Sequence, residues 1–240
     1  MFKQDFRTVK SAHTREAILQ AALALFREKG FDATTMRDIA ARADSALGAA
    51  YYYFNSKDAI VQAYYEKVQA EHSQRLQEMR AAGAMPLKER LAAVMHSKLD
   101  IVQADRKLLG TIFRYSGEPS HPLSCLGPGT REVREQSMQV IADALEGESL
   151  PVDLKQLLTL GLWSLQMGLL VYFIYDSSPQ QQRTRKLLNN ALDLTMNLLT
   201  VARFPLLGFF RKKILASLEE ADLLPRLNFA PASQAVEAQS

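Results

Sequence analysis

The sequence predicts an all-α protein. Apolar residues recur at three- and four-residue spacing through nearly every segment, and no stretch sustains the period-two alternation of a strand. Breaks rich in Gly and Pro then cut the 240 residues into pieces of helical length. A first helix is expected from about Thr8 to Lys29, with Ile18, Ala22, Leu25 and Phe26 facing the core and Gly30 ending it. Thr34 or Thr35 can cap a short second helix, because either hydroxyl can accept a backbone N–H that the first turn leaves unpaired. Met36, Ile39, Ala40 and Ala43 follow at helical spacing. Asp44-Ser45 breaks that pattern, since both side chains favour turns and caps. Ala46 to Tyr53 can form a third short helix crowded with aromatics at its end. Asn55-Ser56-Lys57 stops it and caps a fourth, which runs to about Ala82 before Gly83 and Pro86.

Beyond Pro86, helices are expected over about Leu87–Ala104, Arg106–Ser116, Thr130–Glu146, Val152–Tyr175 and Gln180–Ala202, with a shorter one from Pro205 to Asp222. The segment GEPSHPLSCLGPG, starting at Gly117, is expected to be a loop. The tail from Leu227 is expected to be disordered. No internal repeat and no Gly-rich phosphate loop interrupts this plan.

The segment from Thr34 to Lys57 therefore reads as two short helices joined by a tight turn, followed at once by a third. This is a helix-turn-helix, a device for laying one helix in the major groove of DNA. Around it stand Phe26-x-x-x-Gly30-Phe31, then Thr34-Thr35, Ile39-Ala40, Gly48 and Tyr51-x-Tyr53-Phe54-x-Ser56-Lys57. In order and spacing these residues resemble the N-terminal domain of the TetR/AcrR family of transcription regulators. The resemblance covers roughly residues 10 to 65. The rest of the chain is similar to the family in length and helical character only.

The resemblance implies an N-terminal three-helix DNA-binding domain over 1–57, with a basic arm. A larger helical ligand-binding and dimerisation domain over 58–226 and a tail over 227–240 complete the expected plan. It implies roles one residue at a time. Tyr51 and Lys57 match phosphate contacts, Lys57 with the added attraction of a helix N-terminus. Thr35 matches the first turn of the first motif helix, and Arg37 matches a base or phosphate contact. Gly48 matches a glycine that permits close backbone approach. Where the family usually carries a Lys and a Thr early in the recognition helix, this chain has Leu47 and Ala49. Asp44 and Ser45 replace a common Gly-Val pair in the turn. The front of the helix, Ala46-Leu47-Gly48-Ala49, offers bases no side-chain donor or acceptor, only apolar contact with thymine methyls. Specificity then leans on those contacts, on Arg37, on Tyr52 and on DNA shape. Tyr53 and Phe54 read as core.

Composition agrees with that reading and excludes others. Hydrophobic residues make up 48% and charged residues 23%, the balance of a globular protein. Lys3, Arg7, Lys10 and Arg15 against Asp5 place the whole net charge of +3 in the first fifteen residues, next to the motif. The single cysteine, Cys125, forbids an internal disulfide and a Cys-rich metal site. The charged N-terminus lacks a secretory pattern, so a cytoplasmic protein is expected. Residues 156–175 carry no charge and are long enough to span a bilayer. The mid-span Gln166, with Thr159 and Ser164, favours a helix buried in a soluble oligomer and no membrane partner. Gly161, Ser164 and Gly168 share one face and would let a second helix approach closely.

Met95, His96, Leu99, Phe113, Met138, Trp163 and Met167 form the expected lining of a site for a small, mostly apolar effector. No metal or cofactor is expected, and no catalytic constellation such as GxSxG or HExxH occurs. The expected partners are a palindromic double-stranded operator, the effector, and a second copy held through the helices near 152–175 and 180–202. The resulting expectation is a repressor released by its ligand. The alternative is a helical small-molecule-binding protein or enzyme without a DNA role.

Overall fold

A computed structural model describes residues 2–225 and 227, with side chains described from residue 11 onward except Pro205. The described residues form ten α-helices and no strand. These are α1 (Phe2–Lys29), α2 (Met36–Arg42), α3 (Leu47–Tyr53), α4 (Lys57–Ala81), α5 (Leu87–Ile101), α6 (Arg106–Ser116), α7 (Arg131–Ala144), α8 (Val152–Tyr175), α9 (Gln182–Ala202) and α10 (Gly208–Glu220). Short 3-10 turns precede α6, α7, α9 and α10.

The chain folds as two compact units. The first holds residues 1–68 and 104–131, the second 69–103 and 132–240. This corrects the boundary expected at residue 57, because α4 supplies Lys57–Val68 to the first unit and the stretch carrying α6 returns to it. The side chains of the basic arm, Lys3, Arg7 and Lys10, lie outside those described, as does the expected disordered tail beyond Leu227. The helix itself reaches back to Phe2.

In the first unit α1 packs on α2, α3 and α6. Ile18, Ala22 and Phe26 are almost fully buried along one stripe of α1, as the spacing requires. Gly30 closes the helix at φ +89°, its N–H donating to the Phe26 carbonyl at 3.1 Å, a conformation glycine adopts without steric cost. The buried carboxylate of Asp105 accepts from Arg27 Nε at 2.5 Å and from Tyr64 Oη at 3.0 Å, joining the turn before α6 to α1 and α4. Burial and the adjacent carboxylate both push the Tyr64 phenol well above its ordinary range, so it stays a donor.

The second unit is a helical bundle. Leu91, Val94 and Met95 of α5, Met138 and Ile141 of α7, Leu162 and Trp163 of α8 and Leu188 and Leu192 of α9 share one apolar core. Asp176 ties α8 to α9. Its carboxylate accepts from Ser178 N (2.9 Å) and Oγ (2.6 Å) and from Thr184 N (2.9 Å) and Oγ1 (2.8 Å). Burial opposes ionisation there, but these hydrogen bonds outweigh it and hold the carboxyl well below its usual range.

Candidate nucleic-acid interface

Thr35, not Thr34, caps α2. Its Oγ1 accepts from Asp38 N at 3.2 Å, and Asp38 Oδ2 accepts from Thr35 N at 2.9 Å, a reciprocal capping box. Thr34 is buried and its hydroxyl donates to the Gly30 carbonyl at 2.7 Å. Lys29 also reaches Asp38, at 2.7 Å. The Lys29 ammonium and then the two Thr35 donors hold the Asp38 carboxyl well below its usual range.

The turn between α2 and α3 hangs on Asp44. Its backbone is left-handed, φ 48°. Asp44 N donates to the Ala41 carbonyl at 3.3 Å and Ser45 N to the Ala40 carbonyl at 2.9 Å. This paired pattern is a Schellman closure, whose left-handed position glycine usually fills. Asp is tolerated there because its short polar side chain accommodates the left-handed region better than most. The substitution noted in the turn thus keeps the glycine's geometry without the glycine.

α3 is anchored from behind and open in front. Ala50 and Phe54 are buried, and Tyr53 Oη donates to Ser11 Oγ of α1 at 3.1 Å. The Arg15 guanidinium stacks 4.9 Å from the centre of the Phe54 ring. Tyr53 and Phe54 therefore hold α3 in place. Ala46, Leu47 and Gly48 are exposed, Ala49 partly so, and Tyr51 and Tyr52 are 50% and 81% exposed. A Cβ added at Gly48 would meet nothing within 4 Å, so no packing inside the chain explains a glycine here. The close approach it allows is toward whatever lies against α3.

The cations sort themselves by their partners. Arg42 forms two hydrogen bonds to Glu28, and Lys29 is engaged by Asp38. Arg37, exposed at the start of α2, has no ion-pair partner among the described residues. It is left free to meet a phosphate or a base edge. Lys57 is half-buried and turns inward, donating to the carbonyls of Phe31 at 2.6 Å and Asp32 at 3.4 Å over the Phe31 ring. An ammonium carries three donors, so one remains after these two bonds.

The expected effector residues divide between the two units. Met95, Leu99, Met138 and Trp163 are buried and Met167 half-buried in the second. His96, also in the second, binds Asn189 Oδ1 through Nε2 at 2.8 Å. Phe113 lies in the first unit and is not brought into the core shared by Met95, Met138 and Trp163. Sequence reading missed Gln69, His72 and Lys98, all buried polar residues of the second unit. Gln69, His72 and Leu76 fall one turn apart on α4, a spacing that could have placed the first two on the buried face.

Comparison with known proteins settles the family. A family model described as bacterial regulatory proteins, tetR family, matches residues 18–64. A second, described as tetracyclin repressor-like, C-terminal domain, matches residues 90–212, more than half of the chain. The chain belongs to the tetR family. It is thus a regulator of the helix-turn-helix type, and the family is not one of enzymes. The uncharacterized HTH-type transcriptional regulator YvdT of Bacillus subtilis is 43% identical over 53 residues, 22% of this chain and 27% of that protein. The HTH-type transcriptional repressor KstR2 of Mycolicibacterium smegmatis is 41% identical over 51 residues, 21% of this chain and 25% of that protein. The chain thus matches about a quarter of the length of these two relatives. The "Probable HTH-type transcriptional regulator ArpR" of Pseudomonas putida is 28% identical over 154 residues, 60% of this chain and 67% of that protein.

Among solved structures, a TetR transcriptional regulator from Nitrosomonas europaea superimposes with a TM-score of 0.59 at 21% identity, covering 75% of this chain and 96% of that one. FadR of Bacillus subtilis, solved in complex with stearoyl-CoA, gives 0.58 at 18% identity over 74% and 96%. At these identities the likeness establishes a shared fold. Of the residues carried over by the resemblance, Thr35 caps α2, Arg37, Gly48 and Tyr51 are exposed on α2 and α3, and Lys57 begins α4.

Proposed function

We propose that this tetR-family chain is a repressor that binds a palindromic DNA operator as a two-fold homodimer and leaves it when a small, mostly apolar ligand occupies the second unit. The observation that carries the DNA role is the front of α3: a helix pinned from behind by Tyr53 and Phe54 whose outer residues are exposed, with a glycine among them. Arg37, Tyr51, Tyr52 and the backbone at Gly48 are the groups we assign to the duplex, with Thr35, Ala46, Leu47 and Ala49 beside them and Lys57 through its remaining donor. Arg37 reads or positions; Leu47 and Ala49 meet thymine methyls.

The dimer reading rests on two exposed apolar stripes. α8 presents Gly161, Ser164, Gly168, Tyr172 and Tyr175, and α9 presents Leu187, Leu194, Leu198 and Val201. Two such helices from each copy make a four-helix seam. α8 is the one helix among the described residues long and apolar enough to cross a membrane, but 39% of its apolar window is buried within the chain. The exposed remainder suits a partner helix, and we take the protein to be cytoplasmic. Met95, His96, Leu99, Met138, Trp163 and Met167 are the effector residues we retain. That the structural neighbour FadR was solved in complex with stearoyl-CoA supports a small-molecule effector here. α4 spans both units, so a ligand that favours one setting of α4 changes the reading heads by its differential affinity for the two states.

The test is selection of bound duplexes from a random pool by the full-length protein. Recovery of an inverted repeat with half-sites about one helical turn, 34–36 Å, apart or somewhat more is the expected result. Recovery of unrelated sequences, or a monomer by light scattering at micromolar concentration, would overturn it.

A further inference from the structure

Three polar side chains converge on one turn of α5. His72 of α4 reaches the Val94 carbonyl through Nε2 at 2.9 Å. Gln166 of α8 donates from Nε2 to the Met95 carbonyl at 3.2 Å. Lys98, on the same turn, donates to Gln69 Oε1 of α4 at 2.9 Å. Val94 to Lys98 rises only about 6 Å along the helix. All four side chains are buried, and His72 is fully so.

The hydrogen-bonding capacity of this turn is not used up. Donation by His72 Nε2 leaves Nδ1 as an acceptor, and it has no partner; neither has Gln166 Oε1. The Lys98 ammonium has three donors and the Gln69 oxygen takes one. No carboxylate among the described residues lies within ion-pair distance of it, although a buried cation ordinarily has one. Gln69 cannot serve as counter-ion, and its amide is held in place by donating to the Gln136 carbonyl at 3.2 Å. Burial pushes the Lys98 ammonium down to about 8, still charged at neutral pH. Leu91, Met95, Met138, Leu162 and Trp163 belong to the apolar core beside this turn.

We propose that the Val94–Lys98 turn is the head-group end of the effector site and takes the carboxylate of an apolar monocarboxylic acid. One negative charge matches one unpaired cation; a dianion such as a phosphate monoester would bury a charge without a partner. The carboxylate accepts from the two remaining Lys98 donors. A water held by it turns its second hydrogen to His72 Nδ1 or Gln166 Oε1. The apolar body lies against Met95, Met138 and Trp163. This rests on the effector reading above and adds the class of ligand.

The probes are dodecanoate, hexanoate and 4-phenylbutyrate, each beside its alcohol, titrated by calorimetry into the full-length protein and the Lys98→Met variant. At least one acid should bind wild type about tenfold or more tightly than its alcohol, and Lys98→Met should erase that preference, lowering the acid's affinity far more than the alcohol's. Equal affinities for acid and alcohol in wild type, no binding by any acid, or an unchanged preference in Lys98→Met would each overturn the proposal. The wild-type comparison decides even if the variant does not fold. Operator binding followed in parallel separates the two readings. An acid that binds through Lys98 without releasing DNA refutes release by ligand and leaves the acid site standing. An alcohol that binds as well as its acid and releases DNA does the reverse.

Discussion

The ammonium of Lys57 donates to the carbonyl of Phe31 at 2.6 Å and sits 4.4 Å from the centre of its ring. The first residue of α4 thereby clamps the chain that leaves α1, just behind the helix-turn-helix. A lysine that faces DNA in the resemblance here also holds the head together. Lys57→Ala should lower stability by about 1 kcal/mol, since a half-buried bond to a charged donor and a cation–π contact are lost together. It should also flatten the dependence of DNA affinity on salt by about one phosphate contact. Urea unfolding and fluorescence anisotropy at several salt concentrations measure the two effects separately. An unchanged unfolding midpoint would show that the clamp contributes nothing.

Asp44 occupies a left-handed position at φ 48° that glycine fills at no steric cost. Asp44→Gly should raise stability by about 0.5–1 kcal/mol, less whatever the freer unfolded chain gives back. Asp44→Ala should lower it, because a Cβ without a compensating polar group pays the full steric cost. The order Gly, Asp, Ala in urea midpoints is the expected result. A glycine variant less stable than wild type would mean that the Asp44 carboxylate, not its backbone, closes the turn.

Arg37 and Gly48 separate binding from folding. Neither is held by contacts within the chain, so Arg37→Ala and Gly48→Ala should leave the melting temperature within a degree or two or raise it slightly, alanine being a good helix former. Arg37→Ala should cost about 1–3 kcal/mol on the selected operator and relax discrimination at one position. Equal losses on operator and random duplex would make Arg37 a phosphate contact. Gly48→Ala should weaken both by holding the α3 backbone away from the groove. Unchanged affinity in that variant would remove Gly48 from the interface.

Acid should unfold the second unit early. Burial first, and then the nearby Lys98 charge, push the His72 imidazole down from 6.5 to about 3, against the pull of its bond to Val94. Between those values the unfolded chain binds a proton that the folded chain refuses, so stability falls as pH drops through that window. Asp176 acts in the same direction further down: its depressed carboxyl contributes stability above the unfolded value of 3.8 that is lost as pH falls below it. His72→Gln should flatten the decline between pH 6.5 and 4, measured by urea unfolding at stepped pH. An unaltered slope would place the acid sensitivity elsewhere.

The parts legible in the sequence were those set by neighbours along the chain. Arg106–Ser116 ends just before Gly117 and Val152–Tyr175 begins just after Pro151, as expected, and Ser56 caps α4 by accepting from Ala59 N at 3.1 Å. The exposed front of α3 was what the family resemblance of the helix-turn-helix implied. What depends on distant contacts stayed hidden. Nothing local shows that residues 104–131 return to the first unit, because that choice is made by Asp105 meeting Arg27 and Tyr64. Nothing next to Lys98 in the sequence marks it as buried; its place facing Gln69 of α4 is set by how α4 and α5 pack. Asp44 gave a turn signal but not its φ, since Asp serves several turn geometries.

The proposed dimer seam can be tested without disturbing the protomer. Gly161 and Gly168 lie seven residues apart on the exposed face of α8, and a Cβ at either would meet nothing within 4 Å. Within one chain, then, a glycine there is only a cost, about 1 kcal/mol of helix stability relative to alanine. Close approach by a second helix gives the glycine a reason, as small residues let backbones come together. Gly168→Leu should therefore preserve the helical content of the protomer while forcing the partner helix away, and Gly168→Arg should do so more strongly by burying an unpaired charge. Sedimentation velocity at micromolar concentration should show wild type as a dimer and Gly168→Arg as largely monomer. Operator affinity should fall with the dimer, since one head reads one half-site. If Gly168→Arg remains a dimer with full affinity, α8 does not form the seam, and the exposed stripes of α9 become the surface to test next.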